Sequence, residues 1–139
     1  MTLIQDPSAI RAIAKNAKRV AVLGIKTEDA ASQPAFYVAQ SLAQQGVEIV
    51  PIPIYYRDVT HILGQVVYRN VSDVPGEIDI LDVFRKPSDL MAHVPDIVAK
   101  KPRIVWLQSG IRSEAFVAAM SEAGIDVIED RCLMVEFQR

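Results

Sequence analysis

"VAVLGIKTEDAASQPAFYVAQSL", Val20 to Leu42, decides the fold class. "VAVL" is a short continuous apolar run, the mark of a strand buried on both faces of a parallel sheet. Gly24 ends it, a polar loop follows, and a helix opens at Gln33-Pro34, where a proline at the first helical position gives up no useful N–H. Ala35, Val38, Ala39 and Leu42 then recur with helical period. Strand, loop and helix N-terminus together form a common anion cradle, because unpaired N–H groups and the helix dipole converge there. A dinucleotide fingerprint would place three glycines in such a loop and an acid at the end of the next strand. Here there is one glycine, and the next strand ends Pro-Ile-Pro-Ile-Tyr-Tyr. NAD is therefore excluded as the expected ligand.

Outward from this unit the alternation continues. Asp6-Pro7 reads as a helix start with Ile10, Ile13, Ala14 and Ala17 as its stripe. Gly46 stands where a helix-ending glycine belongs. The second strand, Glu48–Val50, is expected to stop at Pro51, since proline donates nothing to a central ladder. Residues 54–78 suggest a short helical turn and a short edge strand at Gln65 to Tyr68. The strand Ile80–Val83 precedes a helix over "PSDLMAHVPDIVAKK", with Ser88 as cap and a break at Pro95. Ile104–Leu107 is the fourth strand. A helix runs from the Ser113 cap to Gly124, and Val127–Ile128 lies in the last strand. The pattern predicts a doubly wound α/β fold, Rossmann-like, with a mainly parallel sheet of five or six strands and helices on both faces. The first strand should lie between the second and third.

The bulk properties narrow the function. The chain has 139 residues, expected to form one domain spanning 1–139. Its net charge of −2 steers no nucleic acid toward it, so an anion site must be built locally. One cysteine forms no disulfide framework, no apolar run reaches the roughly 20 residues of a membrane span, and the N-terminus lacks a secretory apolar core. These point to a cytoplasmic protein. A homodimer or a protein partner is left open.

Ligands of open α/β sheets bind beyond the carboxyl ends of the strands. Those ends carry Gly24-Ile25-Lys26, Tyr55-Tyr56-Arg57, Phe84-Arg85-Lys86, Gln108-Ser109-Gly110 and Asp130-Arg131-Cys132. Arg85 and Arg131 stand near Asp82 and Asp130, so at least one of these arginines is expected in an internal ion pair. His93 is expected on a helix surface, and Cys132 as a small buried hydrophobe. A receiver domain would need acids directly after the first strand, where Gly24-Ile25-Lys26 stand instead. No nucleophile–base pair and no metal spacing emerges.

"DILDVFRKP", "IVWLQSGI" and "EDRCLMVE" resemble the hallmark segments of the small stand-alone CoA-binding proteins, whose Rossmann-type domain is similar to the CoA-binding half of the succinyl-CoA synthetase α subunit. The resemblance spans roughly Ile13 to Glu136. It implies coenzyme A or an acyl-CoA as the ligand, with its diphosphate on the loop after the first strand. By position, Gly24, Ile25 and Lys26 would line that loop, and Gln33, Pro34 and Tyr37 would meet the phosphates at the helix start. Pro51 and Ile52 would edge the adenine site. Val83, Phe84 and Arg85 would lie across the switch point. The chain departs from the family where Ser32-Gln33-Pro34 replaces Ser-Arg-Pro in a loop about two residues longer, and where Pro53-Ile54-Tyr55 follows the second strand. Three roles follow: a CoA or acyl-CoA binding module without catalytic residues, a same-fold protein that has lost CoA and serves as an interaction or regulatory partner, or an enzyme acting on an acyl-CoA.

Overall fold

The computed structural model describes residues 2–139. Among the described residues seven strands and five α-helices follow one another: α1 (Pro7–Asn16), β1 (Arg19–Leu23), α2 (Pro34–Gln44), β2 (Glu48–Ile52), β3 (His61–Ile62), β4 (Gln65–Val66), β5 (Ile80–Val83), α3 (Val94–Lys100), β6 (Ile104–Leu107), α4 (Glu114–Glu122), β7 (Asp126–Ile128) and α5 (Leu133–Gln138). Five strands form one sheet in the order β2-β1-β5-β6-β7, and every pair is parallel. The first strand does lie between the second and the third long strand. Strand order reverses there, which sets a topological switch point between β1 and β5.

Side chains alternate across this sheet and fill two cores. Val20, Val22, Ile49, Ile80 and Trp106 pack with Ile10, Phe36, Leu42 and Leu133, on the side of α1, α2 and α5. Ala21, Leu23, Leu81, Val105 and Val127 pack with Ile97, Phe116 and Met120, on the side of α3 and α4. Trp106, Phe36 and Phe116 are buried almost completely, and for the two phenylalanines full burial is worth about 1.5–3 kcal/mol each. The caps act as read from the residues: Asp6 Oδ2 accepts from Ala9 N at 3.0 Å, and Ser113 Oγ accepts from Phe116 N at 3.1 Å.

Four local features differ from expectation. Strand β2 runs through Pro51 to Ile52, because it is an edge. The Pro51 carbonyl accepts from Tyr68 N at 2.9 Å on the outer side, so its missing N–H also faces away from β1 and costs no ladder bond. The segment 61–66 is a hairpin whose turn residues Leu63 and Gly64 both have positive φ, 52° and 74°. Residues 87–93 form two 3₁₀ turns before α3, with Ser88 inside the first turn, and Pro95 lies in the first turn of α3 instead of breaking a longer helix. Finally, "LMVEFQ" forms the extra helix α5, and residues 2–4 run beside β7, where Ile4 N donates to Val127 O at 2.9 Å.

Candidate functional site

Gly24 has φ +86°, and a Cβ there would strike the carbonyl oxygen of Phe84, with Phe84 C also only 3.1 Å away. The glycine is required because the turn after β1 presses against the turn after β5. Phe84 N donates to Leu23 O at 2.9 Å and Gly24 N to Ile52 O at 2.9 Å, so three strand ends are tied at one point. This is the switch point, and two hollows border it.

One hollow, of about 200 Å³, is lined by Gly24, Ile25, Lys26, Tyr55, Tyr56, Arg85 and Lys86 among others. It carries three cations and one acid, Asp89. The Lys26 ammonium bonds Gln33 Oε1. Arg85 is largely buried: its guanidinium lies 3.6 Å from Asp89, and its Nε donates to His93 Nε2 at 3.2 Å. Burial and the Arg85 charge hold His93 below its ordinary pKa, so the imidazole remains a neutral acceptor. Far from lying on a helix surface, His93 is half-buried and orients a strand-end arginine. Arg69 shapes the opposite wall: it donates to the carbonyls of Tyr55, Tyr56, Arg57 and Val59 at 2.8–3.2 Å. Four acceptors on one guanidinium hold Tyr56 at φ 62°, a conformation few non-glycine residues adopt.

The second hollow, of about 500 Å³, shares Ala35 and Phe84 with the first. Pro34, Tyr37, Ile111, Met134 and Val135 give it apolar walls, while Gln33, Gln108, Ser109 and Cys132 supply polarity. The two hollows meet at these shared residues, and together they make a two-part cleft, cationic in one part and apolar in the other. At the neck, α2 presents its N-terminus: the Gln33 side chain caps none of its N–H groups, and Ala35 N has no partner among the described residues.

Under the apolar half lies a buried polar pair. Asp82 is wholly buried, between Val22 and Trp106 in register. Burial drives its pKa up to about 8, against the opposing hydrogen bond from Gln108. Gln108 Nε2 is 2.8 and 3.0 Å from the two carboxyl oxygens. A third hollow, of about 490 Å³, adjoins the apolar half at Ser109, Cys132 and Val135. It contains Arg131, 3.6 Å from Glu136, whose Oε1 is buried without a hydrogen bond. Both strand-end arginines are thus held in internal pairs, though by Asp89 and Glu136. Asp130 instead accepts from Gly110 N at 2.7 Å and pairs with Arg112 at 3.0 Å, and these bonds hold it below the ordinary carboxylate range.

The cleft brings together Gly24, Ile25, Lys26, Gln33, Pro34, Tyr37, Phe84 and Arg85. Pro51, Ile52 and Val83 are buried in the sheet and line neither half. Gln108 and Cys132 were legible only as strand-end residues. Cys132 is half-buried and faces the cleft, where a closed hydrophobic position was expected. No group of His, Cys, Asp and Glu suited to a metal exists among the described residues, and no described helix is long and apolar enough to cross a membrane.

The chain is similar to known proteins along nearly its whole length. It is 28% identical over 134 residues to the uncharacterized protein YneT of Bacillus subtilis, covering 95% of this chain and 96% of that one. It is 43% identical to a solved structure from Thermus thermophilus designated cell-free ID.343, with a TM-score of 0.87 and 97% and 98% of the two chains covered. An acetyl-coenzyme A synthetase of Candidatus Korarchaeum cryptofilum shares the fold over 25% of its length and 81% of this chain, with a TM-score of 0.68 and 19% identity. The sequence pattern described as the CoA binding domain matches residues 18–138, and the chain belongs to that family.

Proposed function

We propose that this protein is a binding module for coenzyme A or an acyl-CoA, without catalytic residues of its own. The observation that carries the reading is the two-part cleft at the switch point. Its cationic half, with Lys26, Arg85 and Lys86 beside the free N–H of Ala35, suits a diphosphate. Its apolar half suits a long uncharged arm. CoA carries both in one molecule. In this arrangement Gly24, Ile25 and Lys26 approach the diphosphate, Gln33, Pro34 and Tyr37 flank it at the start of α2, and Phe84 and Arg85 face it from β5. The adenosine end lies toward Tyr55 and Tyr56, beyond the buried ends Pro51, Ile52 and Val83.

One observation favours a second reading, a same-fold partner protein that has lost CoA. Lys26 is bonded to Gln33, and Arg85 is shared between Asp89 and His93, so two of the three cations already have partners. Calorimetric titration separates the readings. The binding module takes up CoA and acetyl-CoA at micromolar concentration, and adenosine 3′,5′-bisphosphate more weakly. No heat with any of the three up to millimolar concentration, from folded protein, overturns it.

A further inference from the structure

We propose that Gln108 is the amide-recognising residue of the apolar half of the cleft: its Oε1 accepts a hydrogen bond from an amide N–H of the ligand's pantetheine arm, and Asp82 is the positioning residue that turns the side chain. The inference rests on the CoA reading above and deepens it. Gln108 is only 4% exposed, yet it forms part of the cleft lining. Its Nε2 is committed to both oxygens of Asp82. That geometry directs Oε1 away from the carboxylate. Oε1 takes no hydrogen bond from the described residues, and the sole sealed side-chain oxygen without a partner among them is Glu136 Oε1. Gln108 Oε1 is therefore open to the cleft. Pro34, Ala35, Phe84, Ile111 and Met134 give the same hollow apolar walls, with Gln33, Ser109 and Cys132 as its other polar lining. A largely buried acceptor without a donor disfavours a plain hydrocarbon chain, which would cover it unpaired. It favours a narrow chain bearing an N–H donor, and the pantetheine arm carries two amide N–H groups.

The test substitutes the ligand before the protein. Two CoA analogues, each with one pantetheine amide replaced by an ester, lose one N–H and keep their shape. Titrations at pH 9, above the raised pKa of Asp82, favour its ionised form, whose oxygens only accept. At least one ester is expected to bind the unaltered protein about three- to tenfold more weakly than CoA, the worth of one neutral hydrogen bond. Gln108→Met should bind CoA and that ester equally, and should bind adenosine 3′,5′-bisphosphate as the unaltered protein does. Should Gln108→Met fail to fold because Asp82 is stranded, the esters on the unaltered protein decide alone. Both esters binding as tightly as CoA overturns the proposal. Adenosine 3′,5′-bisphosphate binding as tightly as CoA also overturns it, since the arm then contributes nothing, and leaves the nucleotide reading standing. No binding of either ligand brings down the CoA reading and this inference together.

Discussion

The carbonyl of Phe84 occupies the space into which a Cβ on Gly24 would project. The resemblance to the family puts Gly24 in the loop that would carry the ligand's diphosphate. The contact shows that this glycine also lets two loops of the protein touch. Gly24→Ala is therefore a stability mutation. Gly46 supplies the control, since it also has positive φ, +91°, with nothing within 4 Å of its added Cβ. Gly46→Ala should cost about 1–2 kcal/mol of backbone strain. Gly24→Ala should cost about 1–3 kcal/mol more, from the forced shift of Phe84. Urea unfolding of both variants measures the difference, and equal costs would contradict the contact.

Asp82 makes stability depend on pH. Its native pKa is raised to about 8, whereas in the unfolded chain it titrates near 4. Between these values the native state holds more protons than the unfolded one, so stability falls as pH rises, by up to about 1.4 kcal/mol per unit for this group. Asp82→Asn removes the titration and keeps a partner for Gln108. The stability of Asp82→Asn relative to the unaltered protein should climb from pH 5 to pH 8 and level off above it. Melting temperatures of the two proteins across that range check this, and a constant difference would show that Asp82 is ionised throughout.

Arg69 should govern the loop that bears Tyr55 and Tyr56. Its guanidinium bonds four carbonyls, of which that of Tyr56 also accepts from Val59 N at 3.0 Å, so Arg69→Met leaves the other three to water and loosens the strained Tyr56. Local opening should become easier by at least about 1.4 kcal/mol, which is tenfold in population. Trypsin cleavage after Arg57 reads this directly, and an unchanged rate would mean the loop is held elsewhere.

Gln33 stands where the resemblance implies a loop arginine, and Lys26 is spent on the glutamine. Gln33→Arg adds a cation able to make paired hydrogen bonds and also frees Lys26. CoA affinity should rise by about 1–2 kcal/mol at low salt, and the gain should shrink at higher salt because the contact is exposed. Titration at two ionic strengths tests both parts.

The fold was legible because its signals were local and repeated. Apolar runs at β1, β5 and β6 alternated with helical stripes, and Asp6, Ser113 and Gly46 punctuated them. The misread places depended on tertiary context. Pro51 stays in its strand only because β2 is an edge. Helix α5 carries few periodic positions and closes the cleft from the far end of the chain. His93 gains its part from Arg85, eight residues before it in sequence, through a fold-dependent approach. Asp82 and Gln108 sit on neighbouring strands, and nothing in their spacing announces the pair. The glycine loop, Phe84 and Arg85 could be placed in advance because strand ends converge in this topology, whereas Ile111, Met134 and Val135, which face α2 across the apolar half, come from the turn after β6 and from α5.

The central claim is that one ligand occupies both halves of the cleft, and amide chemical-shift mapping tests it most directly. With adenosine 3′,5′-bisphosphate, the backbone amides of Gly24, Lys26 and Ala35 should shift, Ala35 downfield as its free N–H meets a phosphate oxygen. With CoA the same amides should move, joined by Ser109, Ile111 and Cys132 across the apolar half. Shifts confined to the hollow around Arg131 and Glu136, or none at saturating CoA, would contradict the account.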